Sequence, residues 1–216
     1  MTQPASLEDL RLALAPAVAD AAVFDGWSET AVRAAAEAQG IDPAAAAFAF
    51  RGGAMEMITA WVHAVDAAMA EELPAEKVAA LKIRERIRTL VLFRLDAIAT
   101  QKEALRRAQA IMAMPQNLTK ALALGWHSAD AMWRLAGDTA TDYNHYTKRL
   151  TLGSIYAATL AVYVSDSSED HADTKAFLDR RIEGIMKFEK AKGRLLRERE
   201  HFSPARFLGR LRYPAR

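Results

Sequence analysis

The stretch Gly26-Trp-Ser-Glu-Thr-Ala-Val-Arg-Ala-Ala-Ala-Glu-Ala-Gln-Gly-Ile-Asp-Pro-Ala-Ala-Ala-Ala-Phe-Ala-Phe-Arg-Gly-Gly53 decides the fold. Ser28 is placed to N-cap a short helix, Glu29 to about Gln39, and Gly40 to end it as a left-handed C-cap. Ile41-Asp42-Pro43 then opens a second short helix, Ala44 to Phe50, which Gly52-Gly53 stops. Upstream, Leu7, Leu10, Leu14, Val18 and Ala21 recur at helical spacing from Ser6 to about Phe24, with Ser6 as cap and Asp9 as its partner. A longer helix followed by two short ones across a glycine turn is a helix-turn-helix pattern.

The rest of the chain is helical as well. Alanine is abundant, glycine and proline are scarce, and no stretch alternates with period two, so the fold class is all-α. Apolar content of 51% against 26% charge fits a globular core, and the absence of cysteine excludes disulfides and thiolate chemistry. The opening residues carry acids early and lack the basic and apolar regions of a leader, and the longest uncharged run, Leu150 to Val164, is too short to span a bilayer. A soluble, cytoplasmic protein is expected. From Lys192 onward eight Lys/Arg face two Glu, so a basic tail follows a mildly acidic body.

The helix-turn-helix pattern resembles the N-terminal region of TetR-type regulators, whose second short helix enters the major groove. Here that helix would be Asp42 to Phe50, which offers no Arg, Lys, Asn, Gln, Ser or Thr to a base edge. Readout needs such groups and affinity needs cations on phosphate, so a degenerate head without nucleic-acid binding is expected.

Beyond the head, helices are predicted from Ala54 to about Leu73, Ala75 to about Thr100, Glu103 to Met114 and Gln116 to Ala136. Lys82, Arg84, Glu85, Arg86 and Arg88 read as a solvated face with local ion pairs. Gly137 is the C′ glycine of the last of these helices, and Thr139 is placed to cap the next, which runs to about Val164. That helix is apolar nearly all round after Arg149, so it belongs in the interior. Gly153, Ala157 and Ala161 give it a flat side that suits a tight helix pair, a dimer seam or room for a ligand. Ser165 to Ser168 form a turn and cap, Glu169 to about Lys190 a last helix, and Gly193 a boundary.

Between Asp130 and Arg149 the chain packs Trp133, Tyr143 and Tyr146 close to Asp130, Asp138, Asp142, Lys148 and Arg149. Rings beside fixed charges suit a docking surface, and an ordinary helical corner with its rings inward is the alternative. Metal-binding and catalytic signatures are absent: no Glu-x-x-His repeat, phosphate loop or nucleophile elbow occurs.

Met114-Pro-Gln-Asn117, Asp130-Ala-Met-Trp133, Ala136-Gly-Asp-Thr139, Thr141-Asp-Tyr-Asn-His-Tyr-Thr-Lys-Arg149 and Ala172-Asp-Thr-Lys-Ala-Phe-Leu-Asp-Arg-Arg181 resemble the Coq-nine family, here as a bacterial member. The resemblance is dense from about Met114 to Lys187. It implies a TetR-like fold with a disabled head, residues 1–53, and a lipid-binding and dimerisation domain, residues 54–191, ahead of the tail, 192–216. It further implies a homodimeric, non-enzymatic accessory protein of ubiquinone biosynthesis, without cofactor. Such a protein binds an isoprenoid quinone or phospholipid and presents a quinone intermediate to the demethoxyubiquinone hydroxylase. A TetR-type ligand-sensing regulator is the alternative.

The family's docking patch maps onto Met132, Asp142, His145 and Tyr146, where His145 replaces the family's usual tryptophan. Trp133, Asn144 and Arg149 complete the expected partner-binding set, and Gly153, Tyr156, Ala157, Leu160 and Ala161 the expected lipid-binding set. In the tail, Ser203 and Pro204 start a helix that Phe202 and Phe207 can staple. Phe202, Phe207, Leu208 and Leu211, with Arg206 and Arg210, are the expected membrane-binding residues of a short interfacial helix. That would place the protein on the cytoplasmic face of the inner membrane.

Overall fold

A computed structural model describes residues 6–140 and 143–201, with backbone alone for 188–201. Among these residues there are ten α-helices and no strands. The first three are α1 (Leu7–Asp25), α2 (Glu29–Gln39) and α3 (Pro43–Ala49). The expected caps are present. Ser6 Oγ accepts from the Asp9 amide at 3.1 Å, Ser28 Oγ from the Ala31 amide at 3.3 Å, and Gly40 sits at φ 66° with its N–H returned to the end of α2. Asp42 caps its own helix through the Ala44 amide, so its charge is spent inside the turn.

The body follows as α4 (Ala54–Glu72), α5 (Ala75–Val78), α6 (Ile83–Ala97), α7 (Lys102–Met112), α8 (Leu118–Leu135), α9 (Tyr143–Ser165) and α10 (Ala172–His201). Head and body share one apolar core across the expected boundary at residue 53, because α1 lies against α4 and α7. Trp27 joins them directly: its indole N–H donates to the Ala104 carbonyl at 2.9 Å, and its ring lies 5.3 Å from that of Trp61.

Four sequence expectations are corrected. The long helix from Ala75 breaks after Val78 and resumes at Ile83. No proline or glycine causes the break; Arg86 does, donating to the carbonyls of Ala79 and Leu81 and, at 2.8 Å, of Ala136 at the end of α8. A guanidinium that collects three orphan carbonyls makes a non-helical turn as well satisfied as a helical one. The basic face is therefore not laced locally, and Arg88 reaches α10, 2.7 Å from Asp179.

α9 is described from Tyr143; Thr141 and Asp142, on which the expected Thr139 cap would act, lie outside the described residues. Gly193 is no boundary, since α10 passes through it to His201. Gly137 is the C′ glycine, at φ 85°, and a Cβ there would meet Arg86 Nη1 at 3.2 Å. Finally, α9 is not enclosed on all sides, because Leu150 is 69% exposed and Ser154, Ala157 and Ala161 are exposed as well.

Candidate functional site

Arg149 organises the corner between α8 and α9. The apolar run that follows pulls α9 against α8, and this carries the guanidinium inward until it is 2% exposed. There its Nε donates to Asp130 at 2.5 Å and its Nη1 to Asp138 at 3.0 Å and to the His145 carbonyl at 3.1 Å. Lys148 adds a 2.6 Å contact to Asp138 and lies over the Trp133 ring, whose N–H donates to the Lys148 carbonyl. Burial pushes the Asp138 carboxyl up, but the hydrogen bonds from Lys148 and Arg149 outweigh it and hold the group below the usual carboxylate range.

The expected docking set therefore divides. Met132 is fully buried and Arg149 nearly so, which removes both from any free surface and makes them parts of the core and the corner. Trp133 is half-buried and lines, with Asn144, a cavity of about 450 Å³ beneath α10. Tyr146 is 60% exposed and Tyr143 75%. His145 and Tyr146 meet edge to face at 5.2 Å, and the Trp126 ring on α8 lies 6.0 Å from Tyr146 and 6.4 Å from His145. Leu122, Leu118 and Leu150 extend this exposed apolar surface along both helices. Trp126 escaped the sequence reading, although Leu118, Leu122 and Trp126 recur every four residues and so share one face of α8.

The flat side of α9 serves two purposes. At Gly153 it touches α8, where an added Cβ would stand 3.8 Å from Gly125 O and the Ala129 side chain. Further along, the helices separate and leave a cavity of about 510 Å³. All five residues expected to contact lipid, Gly153, Tyr156, Ala157, Leu160 and Ala161, line it together. The opposite walls come from Val62 and Val65 of α4, Leu105 and Met112 of α7, and Leu118 and Leu122 of α8. Such a cavity is the right size for part of a small amphiphile or one section of a longer chain.

One wall is not apolar. Arg94 of α6 lines the cavity and is buried; it donates through Nη1 to Asp66 and through Nη2 to Ser128 Oγ at 3.2 Å, while its guanidinium lies 4.9 Å from the Tyr156 ring centre. Ser128 in turn donates to Asp66 at 3.1 Å. Neither Arg94 nor Asp66 had a sequence signal, because each sits within a helix as an ordinary charge. On the far side of Asp66, His127 Nε2 is 4.0 Å from the carboxylate, and the His127 ring lies tilted against that of His63 with centres 4.6 Å apart. Desolvation, then the neighbouring His127, pushes the His63 pKa down. Among the described residues no cluster of three or more His, Cys, Asp or Glu is placed to hold a metal.

The family model described as COQ9 matches residues 118–189, which are α8, α9 and the first part of α10. The mitochondrial ubiquinone biosynthesis protein COQ9 of Rattus norvegicus is 36% identical over 169 residues, covering 74% of this chain and 54% of that one. The Homo sapiens protein of the same name is 34% identical over 74% of this chain and 52% of its own length. The chain belongs to the COQ9 family. It spans about half the length of the curated relatives it matches.

The COQ9 match covers both the exposed aromatic surface and the α8–α9 walls of the cavity, but not Arg94 or Asp66. The fold itself is TetR-like. A TetR transcriptional regulator from Nitrosomonas europaea superposes with a TM-score of 0.63 at 23% identity, over 80% of this chain and 95% of that one.

Proposed function

We propose that this protein is a non-enzymatic lipid-binding accessory factor of ubiquinone biosynthesis, which presents an isoprenoid quinone intermediate to the demethoxyubiquinone hydroxylase. The observation that carries the reading is the apolar cavity between α4, α7, α8 and α9, with Gly153, Tyr156, Ala157, Leu160 and Ala161 in one wall. An isoprenoid chain needs a dry, shape-adapted slot, and burying it there yields roughly 25 cal/mol for each Å² of apolar area removed from water. A phospholipid acyl chain is chemically close enough to share that slot.

Trp126, His145 and Tyr146, flanked by Leu122 and Leu150, form the face on which the hydroxylase docks. Exposed rings close to a polar rim are the groups that concentrate binding energy in protein interfaces. A second copy of the chain would share the remaining exposed side of α8 and α9 as a homodimer. The tail from Phe202 onward, outside the described residues, supplies the peripheral contact with the inner membrane, on its cytoplasmic face. Among the described residues no helix is long and apolar enough to cross a bilayer.

The test is organic extraction and native mass spectrometry of the purified protein. An isoprenoid quinone or quinone precursor in the extract supports the proposal. A protein that copurifies with no lipid, and takes up none from quinone-loaded vesicles, refutes it.

A further inference from the structure

The cavity of about 450 Å³ beneath α10 shares no lining residue with the one assigned above to lipid. Ile87, Leu152, Ile155 and Ile182 line it and are buried, while Ile83 and Met186 stand exposed at its mouth. Side chains from α6, α9 and α10 thus enclose an apolar slot for which the proposed function has no use. The charged groups in its lining are Arg84, Lys148 and Asp138. Lys148 and Arg149 hold the two oxygens of Asp138, at 2.6 and 3.0 Å, so that carboxylate has nothing left for Arg84. Glu183 is paired with Lys187 at 2.9 Å and feels Arg84 only at longer range. Arg84 is exposed and has no ion pair among the described residues, and the Lys148 side chain is 38% exposed. Lys148 Nζ carries three N–H groups and donates one to Asp138, so both cations have donors that a ligand can reach. They stand at the same end of the slot. Arg86, two residues after Arg84, donates to the Ala136 carbonyl, and Lys148 donates to Asp138 of the same turn.

From these observations we infer that the cavity beneath α10 is a second ligand site, which takes a single-chain amphiphile with an anionic head. The alkyl chain lies on the floor of buried isoleucines and leucine, and the carboxylate or phosphate meets Arg84 and Lys148 at the mouth. An anion is selected because the lining carries two cations against one carboxylate, and that carboxylate is already saturated. A neutral head leaves the excess charge unanswered, and a cationic head is repelled by it. Guanidinium and ammonium groups both donate charge-assisted hydrogen bonds to carboxylate and to phosphate. From Lys148 to Ile155 is about 10 Å at the rise of an α-helix, so the slot suits a chain of medium length. The two cavities are independent, and losing this site would leave the proposed function untouched.

The test is titration calorimetry of the full-length protein with four probes below their micelle concentrations: laurate, dodecyl phosphate, dodecanol and dodecyltrimethylammonium. They share one chain length and differ in the head. Each is titrated into the wild type and into Ala157→Trp, in which the other cavity is filled. Laurate or dodecyl phosphate should bind about fivefold more tightly than dodecanol, the upper worth of one exposed ion pair. Dodecyltrimethylammonium should bind more weakly than dodecanol, and the order of the two anions names the preferred head. Salt at about 1 M should remove most of the preference, because both cations stand near the surface. Arg84→Glu, a change at an exposed position, should abolish the preference while dodecanol binds as before. Equal binding of anionic and neutral probes, or a preference unchanged in Arg84→Glu, overturns the inference, as does binding of none of the four. Anion binding that disappears in folded Ala157→Trp also overturns it, since the chain then occupies the other cavity. Should Ala157→Trp fail to fold, quenching of tryptophan fluorescence by terminally brominated laurate decides, because Trp133 lines the slot and Trp61 the other cavity. Quenching that Trp133→Phe removes is expected, and quenching that persists in that variant overturns the inference.

Discussion

Arg149 and Asp130 meet across the α8–α9 corner at 2.5 Å, with the guanidinium 2% exposed. The pair turns a run of sequence that reads as a charged surface into a buried staple. Asp138 closes the staple from the turn, and Arg134, 2.7 Å from Asp130, extends it to the surface. The aromatic groups of the same stretch face the other way: Tyr143 and Tyr146 are exposed while the arginine is enclosed.

Arg149→Leu should therefore act on stability. Removing one member of a buried ion pair leaves carboxylates uncompensated and costs about 3–5 kcal/mol. Chemical denaturation followed by circular dichroism checks this. A loss below about 1 kcal/mol, the range of an exposed pair, would mean the staple is open in solution.

Tyr146→Ala and Met132→Ala should separate docking from folding. Tyr146 is exposed, so its loss should leave the melting temperature nearly unchanged and weaken capture of the hydroxylase by more than about 1 kcal/mol. Met132 is fully buried, and its truncation should cost about 2–5 kcal/mol of stability. Normal hydroxylase binding by Tyr146→Ala would move the docking face elsewhere.

Ala157→Trp should fill the cavity from its α9 wall. The position lines about 510 Å³ of open space, so the indole can enter without displacing backbone, and lipid content should fall with the fold intact. Lipid extraction and sedimentation velocity read the two roles separately. Unchanged lipid together with an unchanged sedimentation coefficient would exclude α9 from both cavity and dimer seam.

Acidification should loosen the α4–α8 contact through His63. Its folded pKa lies below 6.5, first because burial disfavours the charged ring and next because His127 is adjacent. The unfolded chain thus takes up this proton first, so stability rises with pH through that window and is lost as pH falls below 6.5. Melting curves at about pH 5 and about pH 7.5 measure it, and His63→Gln should flatten the difference. An identical slope in the variant would assign the effect to other groups. The facing charges are Asp66, His127 and Lys120 from α4 and α8, with Glu8, Arg11 and Glu56 lining the same groove.

Deleting residues 202–216 should abolish sedimentation with anionic vesicles and leave the helical domain folded. The removed segment carries four arginines with Phe202, Phe207, Leu208 and Leu211, and each basic residue near an anionic surface contributes about 1 kcal/mol. Equal partitioning of the deleted and intact proteins would assign membrane contact to another part of the chain.

The sequence by itself determined the all-α class, four of the helix caps and the family. Ser6, Ser28, Gly40 and Gly137 act within one turn of their own position, and local hydrogen bonding and backbone sterics are written in adjacent residues. The small face of α9 was legible for the same reason, because a four-residue repeat lies on one side of any helix. Tertiary structure alone decided which charges go inside. Arg94 finds Asp66 from α4 and Arg149 joins α9 to α8 and its turn, while Arg86, only half-buried, gathers carbonyls from the α5–α6 turn and the end of α8. Each of these arginines has the same local pattern as a solvated one. A charge can be buried only where a partner from another element meets it, and that meeting is fixed by how the helices pack.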